Sequence, residues 1–192
     1  MIKDKDFFNE VEEALAMLRN GSVILYPTDT IWGLGCDATN NDAVNKIYRI
    51  KNHEDKKKLI LLMTDERQIL QYVVAPDLTV FDFIKKQSRP TTIIFDGVIG
   101  LPDELTSDGT IAIRMVKDEF CRHLIRRLQK PIVSTSANIS GQPSPSTFSE
   151  ISDKIKKQVD HVVRWRQNDL NPAQPSQIIK WHKSGTYTVI RS

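Results

Sequence analysis

The 192-residue chain carries 27 Lys and Arg against 24 Asp and Glu, a formal net charge of +3, so bulk charge does not mark a polyanion binder. A hydrophobic fraction of 40% and a charged fraction of 27% exclude a disordered or fibrous chain. This length predicts a single domain over residues 1–192, large enough for a proper core.

In residues 5 to 19, Phe8, Val11, Leu15 and Leu18 fall at helical spacing and Asn20-Gly21 is a stop signal. Val23 to Tyr26 reads as a buried strand ended by Pro27, and Asp42 to Ile50 as a helix. A second buried strand, Leu59 to Met63, precedes Thr64-Asp65, which can cap a helix running to about Tyr72. A helix over Leu78 to Lys86 and strands at Thr92 to Phe95 and Thr110 to Arg114 follow. Phe120, Leu124 and Leu128 form the apolar stripe of a helix from Asp118 to Leu128. Ile132 to Ser134 is a strand, Phe148 to Gln158 a helix and His161 to Arg164 a strand; strands at Ser176 to Lys180 and Thr186 to Arg191 finish the chain. Residues 141–147 and 167–175 are loops rich in Pro, Ser, Asn and Gln. Helices and strands alternate first and strands dominate the end, which predicts an α/β fold with a twisted mixed parallel/antiparallel sheet flanked by helices.

Cys36 and Cys121 have neither metal-ligand spacing nor a disulfide framework and read as buried or neutral thiols in a reducing compartment. The longest apolar run, Leu59 to Met63, is far below membrane-spanning length, and no signal-type apolar region follows Met1. A cytoplasmic protein with no membrane partner is expected. No cluster of His, Cys, Asp and Glu suggests a protein-held metal.

Two strand ends carry concentrated polar chemistry. The strand at Pro131-Ile132-Val133 runs into Ser134-Thr135-Ser136-Ala137-Asn138-Ile139-Ser140-Gly141. Tyr26-Pro27-Thr28-Asp29-Thr30-Ile31-Trp32-Gly33-Leu34-Gly35 repeats that design. Strand ends in α/β sheets are where ligands bind, and hydroxyls there suit carboxylate or phosphate oxygens, although a Ser-rich turn would read the same way. Arg114 can be a ligand fork or a strand-end ion pair, and Thr110 an ordinary β-branched strand residue. Asp29 can form a turn or orient neighbouring hydroxyls; Trp32 reads as core or pocket wall, and Gly33 and Gly35 as tight backbone. The basic run Lys56-Lys57-Lys58 reads first as a solvated face, and no Walker-type phosphate loop is present.

Taken in order, the Tyr26-to-Gly35 segment, Lys51, Lys57, Leu59, Ile113-Arg114, Ser134 to Asn138, Gly141 and Pro143-Ser144-Pro145 resemble the YrdC-like family over nearly the whole chain. The resemblance implies the YrdC-like fold with a concave polar cleft, and the activity of a threonylcarbamoyl-AMP synthase. In that reaction L-threonine and bicarbonate form a carbamate, whose carboxylate attacks the α-phosphorus of ATP and expels pyrophosphate. The product feeds t6A modification of tRNA, which implies a downstream t6A transferase complex as partner. Mg²⁺ would arrive with the ATP. Carried over residue by residue, Thr30, Arg114, Ser134 and Ser176 resemble threonine contacts. Lys51, His53, Lys57, Thr110, Ser136, Asn138, Ser144 and Arg191 resemble ATP contacts, and Lys51, His53 and Arg114 take the catalytic electrostatic role. The alternative is a non-catalytic paralogue that binds a nucleotide, tRNA or double-stranded RNA on a basic rim.

The chain departs from the family pattern at four places. Lys51-Asn52-His53 stands for Lys-X-Arg with Glu54 for the following proline, Ser88-Arg89-Pro90 for Pro-Gly-Pro, Gln177 for a threonine and Lys58 for a proline. An imidazole cannot supply the planar bidentate fork of a guanidinium, so Lys56 or Arg89 is expected to compensate.

Overall fold

A computed structural model describes residues 2–52, 59–106, 108–182 and 184–192. Seven helices are described: α1 (Ile2–Arg19), α2 (Asn41–Ile50), α3 (Glu66–Leu70), α4 (Thr79–Lys86), α5 (Asp103–Thr106), α6 (Glu119–Leu128) and α7 (Asp153–Lys156). The strands are β1 (Ile24–Tyr26), β2 (Gly33–Asp37), β3 (Ile60–Met63), β4 (Thr91–Asp96), β5 (Thr110–Met115), β6 (Ile132–Ser136), β7 (His161–Val162), β8 (Gln177–Trp181) and β9 (Tyr187–Arg191). They form one mixed sheet in the order β7-β1-β2-β6-β3-β5-β4-β8-β9. Pairs β1/β7, β3/β5 and β4/β8 are parallel and the rest antiparallel, so the sheet is of mixed direction, as the sequence pattern predicts.

Period-two alternation assigns each strand residue to one of two faces. Leu25, Leu34, Leu61, Ile93, Ile113 and Val133 belong to the larger core with residues of α2, α3 and α4. Their neighbours Ile24, Tyr26, Leu62 and Ile132 pack with Val11, Leu15 and Leu18 of α1 and Phe120, Leu124 and Leu128 of α6. Each such buried side chain contributes roughly 1.5–3 kcal/mol of transfer free energy. Further along this second face, Ile60, Ile94, Ala112, Arg114, Ser134 and Ile178 line a cavity instead. The helix pair α1/α6 therefore covers one end of the face and the site occupies the other.

The helix caps follow the side chains available. Asn40 Oδ1 accepts from Ala43 N at the start of α2 at 3.0 Å, and Asp118 Oδ1 from Cys121 N at the start of α6 at 2.9 Å. Thr64-Asp65 does cap a helix, but α3 is only five residues long.

The structure differs from the sequence reading at several places. Gly33 to Asp37, where only tight backbone was expected at Gly33 and Gly35, is a fully buried strand. A Cβ on Gly35 would stand 2.5 Å from the Tyr26 ring and 3.0 Å from the Val133 carbonyl oxygen, so glycine lets β1, β2 and β6 approach closely. The helix expected over Phe148 to Gln158 is a 3-10 turn (Phe148–Glu150) followed by α7, because Ile151 is extended and Ser152 opens a new helix as its cap. The strand expected at His161 to Arg164 shortens to His161–Val162, and a short α5 was not signalled.

Candidate active site

The cavity has a volume of about 330 Å³. Thr30, Trp32 and Gly33 come to it from the first polar strand end, Ser134, Thr135 and Ser136 from the second, and Ala112 and Arg114 from β5. Pro175, Ser176, Ile178, Ile190 and Arg191 supply the opposite wall, with Ser144 on an exposed loop. The lining is mixed: hydroxyls and guanidiniums alternate with Ile60, Ile94, Ile178 and Ile190. Trp32 is pocket wall and core together, its ring tilted against Phe148 at 4.7 Å between centroids.

Arg114 is buried at the cavity, with Nη2 3.0 Å from Asp29 Oδ1. The pair is close enough to neutralise but does not meet hydrogen-bond geometry, and Asp29 Oδ1 and Arg114 Nε and Nη2 are all buried without a hydrogen bond. A guanidinium so placed has donors left for a planar anionic group. Asp29 is thus the counter-ion of Arg114, a role the sequence left open between turn former and hydroxyl orienter.

The hydroxyls are organised by their neighbours. Thr28 Oγ1 donates to Ile31 O at 2.8 Å, stands 2.9 Å from Thr30 Oγ1 and accepts from Thr30 N at 3.0 Å. On the far wall Ser176 Oγ pairs with Thr92 Oγ1 at 2.8 Å, and the Ser176 carbonyl accepts from Arg191 Nε at 3.2 Å and Nη2 at 2.8 Å. Burial, and then the positive charge of Arg114, push the Arg191 guanidinium below its usual range. Two guanidiniums in one cavity favour an anionic occupant.

Lys51 and Asn138 sit behind the lining. Lys51 Nζ, buried, donates to Ser136 O at 2.7 Å and Asn138 O at 2.8 Å, and Ser140 N donates to Lys51 O at 3.0 Å. Burial brings the Lys51 ammonium down to about 8. Asn138 Nδ2 donates to Ile139 O and Gln142 O, which shapes the loop that carries Ser144. Thr110 lies on the Arg114 face of β5, but its hydroxyl donates to Asp108 at 3.0 Å and it is not part of the lining. His53, Glu54, Lys56, Lys57 and Lys58 lie outside the described residues.

Arg89 does not reach the cavity. Its Nε donates to Gln177 Oε1 at 2.6 Å, and it lines a separate small cavity of about 90 Å³ with Asp29 and Lys117. Thr92, Pro175 and Ile190 escaped the sequence reading. Buried Thr92 at alternation with Ile94 was the available signal; nothing local distinguishes Pro175 or Ile190. Among the described residues, the acid and histidine group compact enough for a metal is Glu10, Glu13 and His161, and none of these lines the cavity. Cys36 and Cys121 are buried, and burial pushes both thiols above their usual range.

The Sua5/YciO/YrdC family model, described as telomere recombination, matches residues 16–192. A threonylcarbamoyl-AMP synthase of Idiomarina loihiensis is 35% identical over 173 residues, 88% of this chain and 91% of that protein. Another, from Pseudoalteromonas translucida, is 32% identical over 157 residues, 80% of this chain and 84% of its own length. Among solved structures, E. coli YciO superposes with a TM-score of 0.81 at 26% identity, covering 95% of this chain and 88% of that one. P. abyssi Sua5 complexed with L-threonine gives 0.82 at 23% identity over 94% of this chain, which spans about half, 53%, of the Sua5 chain. At that identity the likeness carries the fold alone. No described helix is long and apolar enough to cross a membrane. With a family match over nearly the whole length and relatives above 30% identity, the chain belongs to the Sua5/YciO/YrdC family.

Proposed function

We propose that this chain is a threonylcarbamoyl-AMP synthase, taking L-threonine, bicarbonate and Mg-ATP to threonylcarbamoyl-AMP and pyrophosphate. Relatives at 32–36% identity bear that name. The carrying observation is the buried Arg114 guanidinium, held near Asp29 with donors unspent, beside the hydroxyls of Thr30, Ser134 and Ser176. Leaving a buried charged donor unmade costs more than an ordinary hydrogen bond returns, so the site gains most from a ligand carboxylate. A hydroxy-amino acid matches that donor and acceptor set.

In this reading Arg114 grips the threonine carboxylate in a fork, and Thr30, Ser134 and Ser176 orient the rest of the molecule. Ser136, Ser144 and Arg191 face the nucleotide, with Lys51 and Asn138 holding the strand end and loop that present them. The carbamate carboxylate then attacks the α-phosphorus while the fixed guanidiniums offset repulsion between the anions. His53, Lys57 and Thr110 are retained as ATP contacts, Thr110 from the rim. The product would enter t6A modification of tRNA through a downstream transferase complex, in the cytoplasm.

Pyrophosphate release from Mg-ATP tests the proposal. Release that requires both L-threonine and bicarbonate supports it. RNA binding that weakens steeply with salt, without any release, favours a binding module instead.

A further inference from the structure

Thr28 is absent from the cavity lining, fully buried, and saturated. Its hydroxyl has one proton, and the Ile31 carbonyl, 2.8 Å away, can only accept it. The same oxygen accepts from Thr30 N at 3.0 Å. With the proton committed, the 2.9 Å contact between the two threonine hydroxyls has one direction: Thr30 donates and Thr28 accepts. Thr30 therefore meets the cavity with lone pairs only. The arrangement is braced from behind, since Arg166 Nη1 donates to Thr28 O at 3.2 Å and to Asp118 Oδ2 at 3.0 Å, and Cys121 Sγ contacts Pro27 O at 3.5 Å.

A lone-pair acceptor beside a guanidinium sorts the groups of a bound hydroxy-amino acid. The carboxylate, which has no proton to give, goes to Arg114. The amine must stay open to take up the carboxyl carbon. The remaining donor is the β-hydroxyl. We infer that Thr28 is a positioning residue that fixes the proton of Thr30, so that Thr30 accepts a hydrogen bond donated by the β-hydroxyl of threonine. This rests on the synthase reading above. It makes specificity depend on a residue that never touches the substrate, because a site built to accept a proton rejects an analogue that cannot donate one.

The test compares kcat/KM, by pyrophosphate release, for L-threonine and O-methyl-L-threonine, whose ether oxygen can accept but not donate. In Thr28→Val the Thr30 hydroxyl is free to turn and donate, and the threonine preference is expected to fall by roughly tenfold, the worth of about one hydrogen bond. The bulk of the added methyl cancels in the ratio of ratios, and a merely structural defect would lower both substrates alike. Thr28→Ser should keep the wild-type preference. Should Thr28→Val not fold, Thr30→Val is compared on L-threonine and L-2-aminobutyrate, which lacks the hydroxyl; threonine is expected to fall to the level of the analogue. An unchanged preference in Thr28→Val, or in Thr30→Val if that is used, overturns the inference while leaving the synthase reading intact. A wild-type chain that does not release pyrophosphate with threonine removes the reading and the inference together.

Discussion

Arg114 Nη2 lies 3.0 Å from Asp29 Oδ1 at the buried end of the cavity, paired in charge but outside hydrogen-bond geometry. Breaking such a pair from one side leaves an uncompensated charge. Asp29→Asn is expected to lower unfolding free energy by about 3 kcal/mol, read from the urea midpoint, with a larger effect than on an exposed pair such as Lys85–Glu66. Arg114→Lys should raise KM for L-threonine by more than about tenfold, since an ammonium cannot grip a carboxylate in two places. Equal KM values for the variant and the wild type would remove Arg114 from substrate binding.

Lys51 gives stability a slope with pH. The folded ammonium titrates near 8 and an ordinary lysine at 10.5. Below pH 8 both states hold the proton and the folded state bears the full desolvation cost. Between about 8 and 10.5 the unfolded chain holds the extra proton, so the Lys51 contribution to stability rises with pH, by on the order of 3 kcal/mol in total. Urea melts of the wild type minus Lys51→Met should isolate that rise from the buried thiols and tyrosines.

Arg89 and Gln177 hold each other across the start of β4 and β8. Arg89, named with Lys56 to compensate for His53, therefore has its Nε on Gln177 at a strand junction outside the cavity lining. Arg89→Ala is expected to change apparent ATP affinity by less than about twofold, and a double-mutant cycle with Gln177→Ala should give coupling below about 1 kcal/mol for this exposed contact. A tenfold loss of ATP affinity would return Arg89 to the nucleotide site.

Gly35→Ala tests the close approach of β1, β2 and β6. Its Cβ would be 2.5 Å from the Tyr26 ring and 3.0 Å from the Val133 carbonyl oxygen, and the buried ring has little room to retreat. The expected loss is about 1–3 kcal/mol by denaturant unfolding. An unchanged midpoint would mean that the ring yields freely.

The sequence by itself determined the α/β class, most elements and the two polar strand ends, because period-two and helical alternation report burial locally. Thr30, Ser134 and Ser136 were legible in the polar strand ends and Arg114 at the end of its strand, whereas Ser144, Ser176 and Arg191 were named only through the family resemblance; the fold brings all seven to one cavity. Gly33–Asp37 was not assigned as a strand, because two glycines in five residues blur its alternation and the Tyr26 ring that fills the space beside Gly35 is placed only by strand pairing. Asp29 as the partner of Arg114, Thr92 under Ser176, and Arg89 turned to Gln177 depend on strand pairing between segments tens of residues apart. So does the direction of the Thr28–Thr30 hydrogen bond, which needs the position of the Ile31 carbonyl as well as the residue types. Alternation reports which side chains are buried, but a hydrogen bond or ion pair depends on distances of a few tenths of an ångström, and only the packed sheet sets those.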